Sequence, residues 1–249
     1  MLIEVAISGA LLACLVASGI SNRIRRAART KKVWAVGFPL GWLRHLDSGL
    51  SVYSRLPLDL REKLQQLAFF KINDLLFDGK GVYENLSEEI IVSLGAHLAL
   101  LHANIRIPPL PSIRTVVVGT PADLEELIAA SSEPLGDSVL LTAWDPEARA
   151  ARMFREERDP QIKAHWQEFA PQADERLFFA GWARSLHSDS PRGRARAAEI
   201  MPDLGTNVAL FAAASEAFIR HPVHLASQNP SIYDALRAFY RLDPACWKT

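Results

Sequence analysis

Cysteine is scarce in this chain. Its 249 residues include two, Cys14 inside an apolar stretch and Cys246 near the C-terminus. They supply no disulfide framework, which suits a reducing compartment. Other signatures are missing altogether: a Gly-rich phosphate loop, a cysteine pair at zinc-ligand spacing and a G-x-S-x-G turn. Their absence argues against P-loop phosphate binding, cysteine-held structural zinc and hydrolase chemistry of the serine-elbow type. Net charge is lacking too, since 28 Lys or Arg balance 28 Asp or Glu. The balance hides an asymmetry: residues 1–50 carry seven Lys or Arg and two acids, leaving a remainder of net −5. A mildly acidic body argues against a broad basic face, so no nucleic-acid partner is expected.

One long apolar run is present. Val5 to Ile20 is apolar apart from small and hydroxyl residues, and Arg23, Arg25, Arg26, Arg29, Lys31 and Lys32 follow it. A signal peptide places its positive charge before the apolar run. The reversed order is that of an N-terminal anchor whose basic side stays in the cytoplasm. Residues 1–22 are therefore expected to form a single-pass membrane anchor, although the run is short for a span of about 20 residues. Residues 23–50 read as a basic and aromatic linker, and 51–249 as the folded domain. The basic segment 23–32 could also hold anionic lipid as a purely structural surface.

Along the domain, Leu60, Leu64, Leu67, Ala68 and Ile72 recur at helical spacing, predicting a helix from Pro57 to Asp78-Gly79. Ser87 followed by Glu88 and Glu89 opens an apolar helix to about His102. Arg114 to Gly119 and Ser138 to Thr142 read as short strands. Thr120-Pro121 with Asp123 is a capping box. Asp145-Pro146 and Asp159-Pro160 carry the same cap-then-proline mark and predict helices near 146–157 and 160–170. Further helices are expected near 174–187, 192–200, 206–220 and 231–241. The fold class is α+β, mostly helical with a small sheet.

The helix near 206–220 carries one carboxylate, Glu216, on a face shared with Ala209, Ala212, Ala213 and Ile219. A charge on an apolar face needs a cation, a metal or hydrogen bonds. Arg220, four residues on, offers an ordinary i,i+4 pair; a metal is the other answer. His97 and His102 stand about 140° apart on one helix and cannot easily share an ion. His221 and His224 read as a solvated loop. Gln167-Glu-Phe-Ala-Pro171 keeps the spacing frame of H-E-x-x-H, in which two imidazoles one turn apart grip zinc and the Glu polarises the attacking water.

These stretches together resemble the family of Mlc titration factor A (MtfA), zinc-dependent peptidases of zincin-like fold. That family has a helix ending His-Glu-Phe-Ala-His-Lys-Leu-Asp, followed by a helix of the type Phe-Ala-Val-Ala-Ser-Glu. Phe211-Ala-Ala-Ala-Ser-Glu216 is similar to the second, and Pro57 to Gly79, Arg114 to Gly119, Leu140 to Trp144, Pro230-Ser-Ile-Tyr and Phe239 to Pro244 also match. The resemblance spans roughly residues 36–245. It implies a zincin-like domain behind the N-terminal anchor, with Glu168 as general base and Glu216 as third zinc ligand.

The departure is at the metal. Gln167 and Pro171 stand at the two histidine-ligand positions, while Glu168, Phe169, Ala170 and Asp174 persist. Gln is a poor zinc ligand and Pro offers none. The expectation is therefore a family member that has lost zinc and catalysis, with Glu168 and Glu216 vestigial and no cofactor. It would act as a binding or regulatory pseudopeptidase at the bacterial inner membrane, main domain cytoplasmic. By resemblance alone its partner would be a protein such as a transcriptional repressor. The alternative is an active zinc metallopeptidase with a rebuilt site, using Glu216 with His165, His187 or the His221/His224 pair. His165 lies about 200° round the helix from Gln167, which makes it a poor substitute.

Overall fold

The computed structural model describes residues 37–105, 113–131, 139–145, 150–153, 159–170, 178–188 and 191–247. The chain divides into two units, Met1–Phe38 and Pro39–Thr249. The expected anchor, 1–22, lies outside the described residues, as does the basic segment behind it. Among the described residues no helix is long and apolar enough to cross a membrane.

The larger unit begins earlier than the expected boundary at 51. Leu43–Gly49 is a helix (α1), and Leu46, Leu50, Val52 and Tyr53 are buried. Residues 39–50 are thus part of the folded body rather than a linker, because their apolar side chains pack on the helices that follow. Leu58–Asp74 (α2) and Glu88–Leu100 (α3) come next. Ser87 caps α3, its hydroxyl oxygen accepting from the Ile90 N–H at 3.4 Å. From Val92 to Leu100 every residue of α3 is buried, so this is a core helix with no wet face. Gly95 lets α2 come close: a Cβ there would lie 2.5 Å from Ile72 Cγ1.

Two expectations fail where strand pairing competes with a local signal. The helix predicted to reach Gly79 stops at Asp74, and Leu76–Gly79 forms strand β1. The helix predicted at 146–157 is replaced by strand β4, Ala150–Met153. A cap is worth about 1 kcal/mol and cannot outbid a ladder of backbone hydrogen bonds to a waiting edge. Between them lie β2, Thr115–Gly119, and β3, Val139–Asp145. The sheet order is β1-β2-β3-β4, with β1, β2 and β3 parallel and β4 antiparallel to β3. The helix α4, Pro121–Ala130, connects β2 and β3 and lays Leu124 and Leu127 on Val117, Leu141 and Ala143. Its capping box is as the sequence predicts: Thr120 Oγ1 accepts from the Asp123 N–H at 3.2 Å and Asp123 Oδ2 accepts from the Thr120 N–H at 2.9 Å.

The rest is helical: α5 Pro160–Phe169, α6 Phe178–Ser188, α7 Pro191–Ile200, α8 Pro202–Thr206, α9 Val208–Arg220, α10 Pro222–Gln228 and α11 Pro230–Tyr240. Asp159 caps α5, accepting from the Gln161 N–H at 3.0 Å. The α9 helix is central, packed against α5 and α6. Phe211 and Phe218 meet Phe239, Tyr240 and Tyr233 of α11. The tail is tied back by Tyr233, whose hydroxyl donates to Asp243 Oδ1 at 2.6 Å and accepts from the Ala245 N–H at 3.0 Å. The protein is α+β and mostly helical, with a small mixed sheet.

Candidate functional site

Asn207 starts α9, its side-chain oxygen accepting from the Leu210 N–H at 2.9 Å. From Phe211 to Ile219 every residue is buried, and Glu216 is 0 % exposed. A carboxylate there is tolerable only if both oxygens find donors. They do. Oε1 accepts from Arg220 Nε, one turn on in the same helix. Oε2 accepts from the Ala180 N–H at 2.7 Å, and the Phe179 N–H also bonds this carboxyl group. Both amides lie in the first turn of α6, where leading N–H groups have no intrahelical acceptor and the helix dipole is positive. Glu216 therefore caps α6 from another helix. Burial pushes its carboxyl above the usual range, while Arg220 and the Ala180 and Phe179 amides pull the other way.

Neighbours complete the setting. The Arg220 guanidinium lies 5.6 Å from the Phe179 ring centroid, and the His97 ring lies 5.3 Å from the same centroid. His97 Nδ1 donates to the Ser93 carbonyl at 2.8 Å. Burial lowers its pKa to about 4, with Arg220 adding in the same direction and the Ser93 carbonyl opposing.

The other half of the expected site looks outward. Ile162, Trp166 and Phe169 form the buried face of α5, spaced four and three residues apart. Gln167 and Glu168 fall on the opposite face and are exposed. The Glu168 side chain is 64 % exposed, with Oε2 3.4 Å from His165 Nδ1. Pro171 and Asp174 lie outside the described residues. An H-E-x-x-H centre needs its first ligand position turned toward the third ligand, but the exposed Gln167 and the fully buried Glu216 occupy different environments.

The imidazoles named as alternative ligands are placed elsewhere. His165 stacks on Phe169 at 6.2 Å between ring centroids. His187 is buried, with Nε2 3.1 Å from the Leu204 carbonyl and 3.0 Å from that of Gly205. The expected loop at His221 and His224 is instead the start of α10, with His221 preceding Pro222 and its ring 5.7 Å from that of Trp166. Proline at the first helical position favours that turn. His224 is exposed on α10. Among the described residues, no group of three or more His, Cys, Asp or Glu side chains could hold a metal ion. The donor set does not fit zinc: Gln167 is a poor ligand pointed at solvent, and both Glu216 oxygens already accept from N–H donors.

Sequence reasoning found Glu216 and its Arg220 partner but missed the amides of Phe179 and Ala180. Backbone donors leave no mark in a sequence. Compared with known proteins, the chain matches no family model and no curated protein.

Proposed function

We propose that the chain is an MtfA-like, zincin-type pseudopeptidase that works by binding rather than by hydrolysis. One observation carries this reading: the carboxylate at the third-ligand position holds an arginine and a helix terminus. The zincin-like assignment rests on the motif resemblance; the helix bearing Gln167-Glu168 packs on the helix bearing Glu216, with Gln167 and Glu168 on its outer face. Glu168 retains the residue type of a general base, but with no metal-bound water nothing lowers the barrier to attack on a peptide. The proposal extends to cellular place: residues 1–22 anchor the chain in a bacterial inner membrane, the body faces the cytoplasm, and the partner is a protein such as a transcriptional repressor. The apolar run followed by six basic residues supports the anchor.

Incubation of the full chain with a mixed-sequence peptide library and added zinc should give no cleavage, and Glu168→Ala should behave the same. Zinc-dependent cleavage lost in Glu168→Ala would overturn the reading in favour of a rebuilt peptidase. Deleting residues 1–32 should release the body from membranes; full retention would remove the anchor. Cross-linked capture from native membranes that yields no specific partner would contradict the binding role.

A further inference from the structure

A second buried polar cluster lies outside the Glu216 site. Lys71 in the last turn of α2, His102 in the turn closing α3 and Trp182 in α6 converge. Lys71, His102 and Trp182 are 5 %, 8 % and 0 % exposed. Lys71 Nζ lies 5.3 Å from the Trp182 ring centroid, and the His102 ring meets the same indole edge-on at 5.4 Å. Three nitrogens here, His102 Nδ1, His102 Nε2 and Trp182 Nε1, are buried without a protein hydrogen-bond partner. Such groups are costly, each by an amount comparable to a lost hydrogen bond, so proteins supply them with partners.

The chemistry of the three atoms defines the ligand. A neutral imidazole has one N–H to donate and one bare nitrogen to accept, and an indole has one N–H to donate. Burial, with the Lys71 charge adding to it, favours the neutral imidazole. An anion could accept from the two N–H groups but has no proton for the bare nitrogen. A metal cation would meet a lone imidazole beside an ammonium. Only a molecule that both donates and accepts serves all three, and burial at this point restricts it to a small one. We infer that His102 and Trp182 form an internal hydration site holding at least two ordered water molecules, one on each side of the imidazole. The two ring nitrogens diverge, so a single molecule cannot reach both.

Water–protein magnetisation transfer on the full chain tests this without a variant. The indole proton of Trp182, assigned by its loss in Trp182→Phe, should show a direct exchange-free cross-peak to water. A Trp182 indole proton with no water contact would overturn the inference. His102→Phe gives an independent readout, since it keeps the ring and deletes both nitrogens. A hydrated site predicts a lower Tm, because the waters and the Trp182 partner are lost. A dry cluster predicts a higher Tm, because two unpaired groups are removed, and that result would contradict the inference.

Discussion

The outward face of α5 and the inward face of α9 belong to helices that pack together, and each carries one carboxylate of the expected catalytic set. Glu168 is 64 % exposed and touches a partly exposed imidazole; Glu216 is 0 % exposed and holds Arg220 and the first turn of α6. The same residue type does opposite work because solvation differs. At the surface a carboxylate keeps its water, and an ion pair adds about 0–1 kcal/mol. In the interior it survives only through its donors, and those donors come to depend on it. Residue type therefore says little about a side chain's chemistry until its environment is known.

The sharpest way to break this contrast is Glu216→Ala. It leaves the partly buried Arg220 unpaired and the α6 amides without an acceptor, and should cost about 3 kcal/mol, read by chemical denaturation. For a chain of this size that is a fall in Tm of about 6–12 °C. A change under about 1 kcal/mol would mean that Glu216 holds nothing together. Arg220→Met should cost less, about 2–3 kcal/mol, because Glu216 can then neutralise by taking a proton. With its folded pKa raised further, that variant should lose stability as pH rises through the raised value. Its deficit should shrink toward pH 4.5, the ordinary value of the carboxyl.

His97 sharpens the interior side. Its folded pKa of about 4 lies below the ordinary 6.5, so below pH 6.5 the unfolded chain binds the extra proton. Stability should fall as pH drops from about 6.5 toward about 4, by about 3 kcal/mol from this residue. Burial lowers His102 and His187 in the same direction, which steepens the slope. Glu216, its pKa raised by burial, works the other way in this window, so the check is a difference: a His97→Phe variant that leaves the slope unchanged would contradict the placement of His97. The smallest effects belong to the outer face: Gln167→Ala and Glu168→Ala should each stay within about 0.5 kcal/mol by denaturation.

Much of the fold was legible because the signals were local. Thr120 with Asp123, Asp159 before Pro160, and Ser87 before two acids each name a helix start through a side chain that reaches its own backbone. What was not legible depended on partners distant in sequence. Strand β4 exists because β3 offers it an edge, and α1 belongs to the core because Gly49 seats against Ser93, whose hydroxyl donates to the Gly49 carbonyl at 3.0 Å. At the site, Glu216 and Arg220 could be paired from their spacing, whereas the α6 amides could not. The outward turn of Gln167 and Glu168 was legible, since Ile162, Trp166 and Phe169 already define the buried face of that helix.

On the proposed reading Glu216 serves a structural ion pair instead of zinc. Counting metal by mass spectrometry on the full chain, purified without chelator, tests it most directly when joined to a melt with and without EDTA. Zinc should fall far below one per chain, with Tm unchanged by EDTA. About one zinc per chain, with a Tm that drops on chelation, would contradict it.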